Sequence, residues 1–242
     1  MSPPEVQIRT GHVGTSGRIL IDREKQRNAL SSQMSEVIAE AVLRFEADPE
    51  CRAILICGSG DSFSSGADTK ERSAASAPQR AYGDGPHAKM LKVIGASRVP
   101  VIAAVEGWAA GMAVGILGAA THVVGADESR YWLPEVGHGY FPFGVAGHLV
   151  GRMSPAYVVR WALSAAPIEA DEARDHGLVT HRAGQGAAES VALALLEELA
   201  ALPRAAVEGA VSFLRQAGAI PSSQEFVRWC EQQMTQLFSR GS

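Results

Sequence analysis

Twenty consecutive residues, Gly107 to Ala126, contain no Asp, Glu, Lys or Arg. A run of that length has to leave water, either by crossing a bilayer or by filling a folded interior. Gly107, Gly111, Gly115 and Gly118 interrupt it, and Thr121 and His122 add polar groups. That makes it a poor membrane span and a good buried segment. Val101-Ile-Ala-Ala-Val105 precedes it and His122-Val-Val-Gly125 lies inside it. Both are short apolar runs of the kind that form buried strands. Arg52-Ala-Ile-Leu-Ile-Cys57, ended by Gly58-Ser-Gly60, is a third. Between such runs, Ser31 to Phe45 sets Met34, Ile38, Ala41, Val42 and Phe45 at helical spacing. Strands separated by helices predict an α/β fold, with a mostly parallel sheet covered by helices. Residues 5–21, ending in Gly17-Arg-Ile-Leu-Ile21, predict a strand pair.

Past Ser154 the pattern becomes mainly helical. Ser154-Pro155 suits an N-cap and first helical residue. Ala188 to Leu202 and Arg204 to Gln216 are long helical patterns. Ser222-Ser-Gln-Glu225 fits a capping box, followed by an apolar stripe of Phe226, Trp229, Cys230, Met234, Leu237 and Phe238. Such a stripe belongs to a core or to a subunit interface. Between Glu71 and Met90 a segment rich in Ser, Ala, Gly and Pro reads as a loop or a short frayed helix, of the kind that often covers a site.

Composition removes several function classes. The chain has 22 basic against 26 acidic residues, a formal charge of −4, and no Lys/Arg-rich block. A nucleic-acid partner or an acidic membrane surface is therefore not expected. Cys51, Cys57 and Cys230 form neither a paired framework nor a CxxC, which suits a reducing compartment. The seven histidines show no HxxxH or HExxH spacing, so no metal site is expected, and no GxSxG or GxxxxGK[ST] occurs. The opening MSPPEVQIRT lacks the apolar stretch of a signal peptide, and the expected location is the cytoplasm.

Five segments stand in order along the chain: Arg27-Asn28-Ala29-Leu30, Phe63-Ser-Ser-Gly66-Ala67-Asp68, Pro100 to Gly111 (PVIAAVEGWAAG), Pro134 to Pro142 (PEVGHGYFP) and Pro167 to Val179 (PIEADEARDHGLV). Singly, each has an ordinary structural explanation. Together, in this order and spacing, they resemble the crotonase superfamily, the enoyl-CoA hydratase/isomerase family, over most of the chain. The resemblance implies a crotonase-like core, a spiral of ββα repeats, over residues 1–153. It assigns 154–242 to a C-terminal helical region that joins subunits into a homotrimer or hexamer.

It also implies an acyl-CoA thioester as substrate, with no cofactor beyond the coenzyme A that the substrate carries. Carried over, the backbone N–H groups of Ala67 and Met112 would bind the thioester oxygen as it becomes an enolate oxyanion. Met112 would sit at the start of a glycine-rich helix, whose amide end favours negative charge. Preorganised donors of this kind are worth about 3–4 kcal/mol each in the transition state. Ala29, Gly66 and Gly111 belong to the segments that would line the substrate site.

The chain departs from the family pattern at two places. Many hydratases carry two glutamates around the added water; here the second matches Glu135 and the first matches Gly115. One carboxylate suits isomerisation, in which a single base takes a proton from C2 and returns it to C4, better than hydration. The chain also stops at Phe238-Ser-Arg-Gly-Ser242, before the family's usual EGxxAFxEKR stretch, which in relatives helps cover the coenzyme A pocket. The alternative function is an acyl-CoA-binding protein with weak or absent turnover.

Several polar residues near the matched segments remain open. His138 is either a second acid or contact for a polar acyl group, or a surface histidine. Tyr140, Phe141 and Phe143 suggest an aromatic-lined pocket or ordinary packing. Lys25, Lys70 and Arg72 are candidates for the coenzyme A phosphates or solvated cations. Asp68 is expected to hold its loop, and Glu106 to be structural.

Overall fold

The structure is a computed structural model describing residues 7–74 and 85–217. Its main sheet has six strands in the order β1-β2-β3-β4-β6-β9. β1 (Ile8–Val13) and β2 (Ser16–Ile21) form an antiparallel hairpin, the expected strand pair. β2, β3 (Ile54–Gly58), β4 (Val101–Val105), β6 (His122–Ala126) and β9 (His181–Ala183) then run parallel. A smaller sheet pairs β5 (Trp108–Ala110) with β7 (Arg130–Trp132) in parallel, and β7 with β8 (Ile168–Glu169) antiparallel.

The parallel strands are apolar throughout because both faces are covered. Side chains alternate between faces, so Ile54, Ile56, Val101, Ala103 and Val105 share one core while Leu55, Cys57, Ile102 and Ala104 share the other. The first core is filled by α1 (Ser32–Ala47), α3 (Pro86–Ala96) and α4 (Met112–Ala119). The second is closed by α8 (Ala188–Ala201) through Ala188, Ala192 and Leu196. The helix expected at Ser31–Phe45 is present. Ser31 is its N-cap, its Oγ accepting the Met34 N–H at 3.1 Å, and the side chains that set its periodicity are buried.

The uncharged run follows the main sheet inward: Ala113 to Ala119 are all buried within α4, and β6 follows directly. Among the described residues no helix is long and apolar enough to cross a membrane. α2 (Thr69–Ala74) and α3 take up the two ends of the Glu71–Met90 segment, of which residues 75–84 lie outside the described set.

Beyond Ser154 come α6 (Pro155–Ser164), α7 (Ala170–Asp175), α8 and α9 (Arg204–Ala217), following α5 (Phe143–Leu149). Ser154 occupies the N-cap position of α6, but its side chain makes no capping hydrogen bond. The stretch is not purely helical, since β8 and β9 lie within it. β9 pairs with β6, so the main sheet continues past residue 153. The capping box at Ser222 and the stripe from Phe226 to Phe238 lie outside the described residues.

Candidate active site

The loop 62–68 is held from both sides. Leu30 donates its N–H to Gly66 O at 2.8 Å, and Asp68 returns its N–H to Leu30 O at 2.8 Å. Peptide groups alternate in direction along extended chain, so this pairing turns the Ala67 N–H away from Leu30. On the other side Ser64 donates to Trp108 O, and Ala110 to Ser64 O, each at 3.0 Å. Asn28 pins the arrangement. Buried in the left-handed region (φ 55°), it donates from Nδ2 to Ser59 O at 2.9 Å and to Ser62 O at 2.8 Å. The Arg27-Asn28-Ala29-Leu30 segment thus acts as a clamp on the loop that carries Ala67.

Gly66 has φ +91°, and a Cβ there would stand 2.5 Å from Ala110 O and 3.3 Å from the Met112 nitrogen. Only glycine lets these two backbones approach. Met112 is the first residue of α4, where N–H groups have no intrahelical acceptor. The two candidate amides, of Ala67 and Met112, therefore lie on adjoining segments. Among the described residues neither N–H donates to a backbone carbonyl in the loops and turns around it.

Glu135 reaches the same place from β7. It opens a one-turn 3-10 helix, Glu135–His138, that Gly139 ends in a left-handed conformation. Its side chain is buried, and a Cβ on Gly111 would stand 2.8 Å from Glu135 Oε1. Gly111 also donates its N–H to Trp132 O at 2.8 Å, tying the start of α4 to the end of β7. A carboxylate thus lies beside the opening of a helix whose amide end favours negative charge.

Gly115 lies one turn further along α4 and is buried. A Cβ there would meet Leu91 Cδ1 at 2.7 Å and Val145 Cγ2 at 3.3 Å. Hydrocarbon from α3 and α5 fills the place where a second carboxylate would project.

This combination of fold and loops has clear counterparts. The family profile described as Enoyl-CoA hydratase/isomerase matches residues 15–240. The chain belongs to the enoyl-CoA hydratase/isomerase family. It is an acyl-CoA enzyme of the hydratase/isomerase type. It is 33% identical over 183 residues to carnitinyl-CoA dehydratase of Citrobacter koseri, covering 75% of this chain and 69% of that one. The Salmonella agona carnitinyl-CoA dehydratase is 33% identical over 193 residues, covering 78% and 73%. Among solved structures, enoyl-CoA hydratase from Mycobacterium tuberculosis H37Rv superposes with a TM-score of 0.84 at 26% identity, covering 96% of this chain and 88% of that one. EchA1 of Mycobacterium marinum gives 0.85 at 27%, covering 97% and 90%.

Within this family member the remaining candidate residues divide by position. Arg23 donates to Asp68 Oδ2 at 2.6 Å and to Ala29 O at 3.0 Å, and the Lys70 N–H donates to Asp68 Oδ1 at 2.9 Å. Burial alone would raise the Asp68 carboxyl; the Arg23 hydrogen bond and charge, with the Lys70 and Glu71 amides, outweigh it and hold the group below the usual range. Asp68 therefore joins the two loops flanking Ala67. Lys25 is exposed on a one-turn 3-10 helix, and Lys70 is exposed in α2. The Arg72 side chain lies outside the described set.

His138 and Tyr140 are exposed, at the end of the turn that Glu135 opens. Phe141 packs against the core and lies edge-on to the exposed Phe143, ring centres 4.9 Å apart. The Glu106 carbonyl accepts the Phe63 N–H of the 62–68 loop at 2.9 Å, but its side chain turns elsewhere: the two carboxylate oxygens accept the N–H groups of Ala188 and Gly186, at 2.7 and 3.2 Å, at the start of α8. The Arg23–Asp68 pair was hidden in the sequence by its separation, although Arg23 lies only four residues before Arg27. The filled space beside Gly115 had no sequence signal, since Leu91 and Val145 read as ordinary core residues.

Proposed function

We propose that the chain binds an acyl-CoA thioester with its carbonyl oxygen between the Ala67 and Met112 N–H groups and moves one proton with Glu135. In this reading Glu135 takes a proton from C2, and the C–H electron pair passes to the thioester oxygen as an enolate. With a 3-enoyl-CoA, Glu135 then delivers the proton to C4, the double bond settles between C2 and C3, and the carboxylate is regenerated. No atom is gained or lost, so no second acid or bound water is needed. Enoyl-CoA isomerisation, or a related hydratase/lyase step through the same enolate, is the reaction class.

The observation that carries this is the hydrocarbon packed over Gly115 beside the buried Glu135. Adding water across a double bond calls for one group to take a proton from water and another to deliver one to carbon. The helix beside Glu135 supplies no second carboxylate at the position the family uses. The carnitinyl-CoA dehydratase relatives support an acyl-CoA ester as substrate. A homotrimer or hexamer located in the cytoplasm belongs to the same reading and rests on family membership.

The test follows conjugated-thioester absorbance with crotonyl-CoA and a 3-enoyl-CoA. Glu135→Gln is expected to retain CoA-ester binding while lowering turnover by at least ~10²-fold, as for loss of a positioned acid/base. An unchanged rate refutes the assignment. The same packing at Gly115 also favours a second reading, a family member that mainly holds acyl-CoA and converts it only weakly. Saturable binding with marginal turnover over a broad panel of esters would select that one.

A further inference from the structure

The far end of α4 carries an unusual pair of cations. Arg152, in the turn before α6, donates from Nη1 to Leu117 O at 3.0 Å and to Ala120 O at 2.6 Å. Arg215, from α9, donates from Nη1 to Ala119 O at 2.7 Å and from Nη2 to Ile94 O, near the end of α3, at 3.2 Å. α4 has no basic residue in its own last turn and no glycine cap, and it ends in Ala120. Its orphan carbonyls are satisfied by side chains that arrive from two distant segments.

Neutral amide donors would satisfy those carbonyls without bringing two like charges together in a low-dielectric place. Burial and, for Arg152, the charge of Arg215 pull both guanidinium pKa values down to about 10, so both remain cationic at neutral pH. Among the described residues no carboxylate contributes to either titration. Among the described residues the buried Arg215 Nε has no hydrogen-bond partner. His148 adjoins the same helix end: a Cβ on Gly118 would stand 3.1 Å from the His148 Cβ. Burial and the Arg215 charge keep its pKa low, so it adds no third cation at neutral pH.

The opposite end of this eight-residue helix is the Met112 amide, about 12 Å away along an axis lined by buried apolar residues. A helix dipole acts at its amide end only to the extent that its carbonyl end does not oppose it. Cations on the carbonyls remove that opposition and add positive potential of the same sign. We propose that Arg152 and Arg215 are positioning residues for the reaction: they neutralise the carbonyl end of α4 and orient it, strengthening the pull of the Met112 N–H on a thioester oxygen. This rests on the reading of Met112 as an oxyanion donor.

The test uses 4-(dimethylamino)cinnamoyl-CoA, whose absorption moves to the red when its carbonyl is polarised, with the intact chain and its Arg152→Gln, Arg215→Gln and Arg215→Lys variants. Melting temperature is measured alongside. Arg215→Gln is expected to bind the probe as tightly as the parent while showing a smaller red shift and a kcat about three- to tenfold lower, with KM little changed. Arg215→Lys, which keeps the charge, is expected to restore most of the shift. Arg152→Gln should behave like Arg215→Gln; if it does not fold, the two Arg215 variants decide. A parental shift and kcat in the Gln variants would overturn the proposal. So would Gln and Lys variants that lose shift and melting temperature alike, because packing alone would then account for both. A parent protein that leaves the probe's absorption unmoved would instead overturn the reading of the oxyanion site, and this inference with it.

Discussion

A Cβ built on Gly115 would stand 2.7 Å from Leu91 Cδ1, so α3 occupies the ground that a glutamate side chain at position 115 would need. The missing glutamate and the leucine are complementary. An enlarged residue 115 and a retained Leu91 cannot share the space without movement.

Gly115→Glu by itself is therefore expected to overpack the core and to lower stability by about 1–3 kcal/mol. It should add little hydration of crotonyl-CoA. Pairing it with Leu91→Ala opens the space, and the double variant is expected to hydrate crotonyl-CoA faster than either single variant. Thermal unfolding and loss of conjugated-thioester absorbance check both halves. Robust hydration by the single variant at unchanged stability would show that Leu91 gives way freely.

Glu106 caps α8 from β4's end by accepting two amide hydrogens, a service the helix's own N-cap residue, Ala187, does not provide. Glu106→Ala is expected to cost about 1 kcal/mol of stability, the usual worth of a lost cap. Activity should be unaffected, since the substitution keeps the Glu106 carbonyl that holds Phe63 and removes only a carboxylate engaged at the start of α8. Denaturant titration beside a rate assay tests this.

His122 gives the fold a pH dependence of definite sign. Burial, then the facing His181 and the Arg152 charge, lower its pKa from 6.5 to about 4. The unfolded chain therefore takes up a proton at a pH where the folded chain does not. Stability from keeping His122 neutral is complete above pH 6.5 and falls progressively as pH drops toward 4. His122→Gln is expected to flatten the stability profile across that window. Denaturation midpoints at pH 7 and pH 5 measure the difference; equal slopes in parent and variant would assign the acid sensitivity to other groups.

Much of this protein is legible in one dimension. The uncharged run from Gly107 could go nowhere but the interior, and the apolar runs at Ile54, Val101 and His122 became neighbouring parallel strands. Ser31 capped the helix that the spacing of Met34, Ile38 and Phe45 implied. Such features are local: hydrophobic period, cap chemistry and glycine freedom act within a few residues, so the order of residues determines them. The ordered segments around Asn28, Gly66, Gly111 and Glu135 likewise carried the family with them.

What the chain order left open was contact between distant segments. Whether Gly115 opened onto substrate or onto hydrocarbon depended on Leu91 and Val145, brought there by two other helices. Arg152 and Arg215 look like ordinary surface cations until the fold sets both on the carbonyl end of α4. Glu106 acquired its role from a helix that begins more than eighty residues later. Packing and electrostatics depend on distances through space, and only the closed tertiary structure sets those.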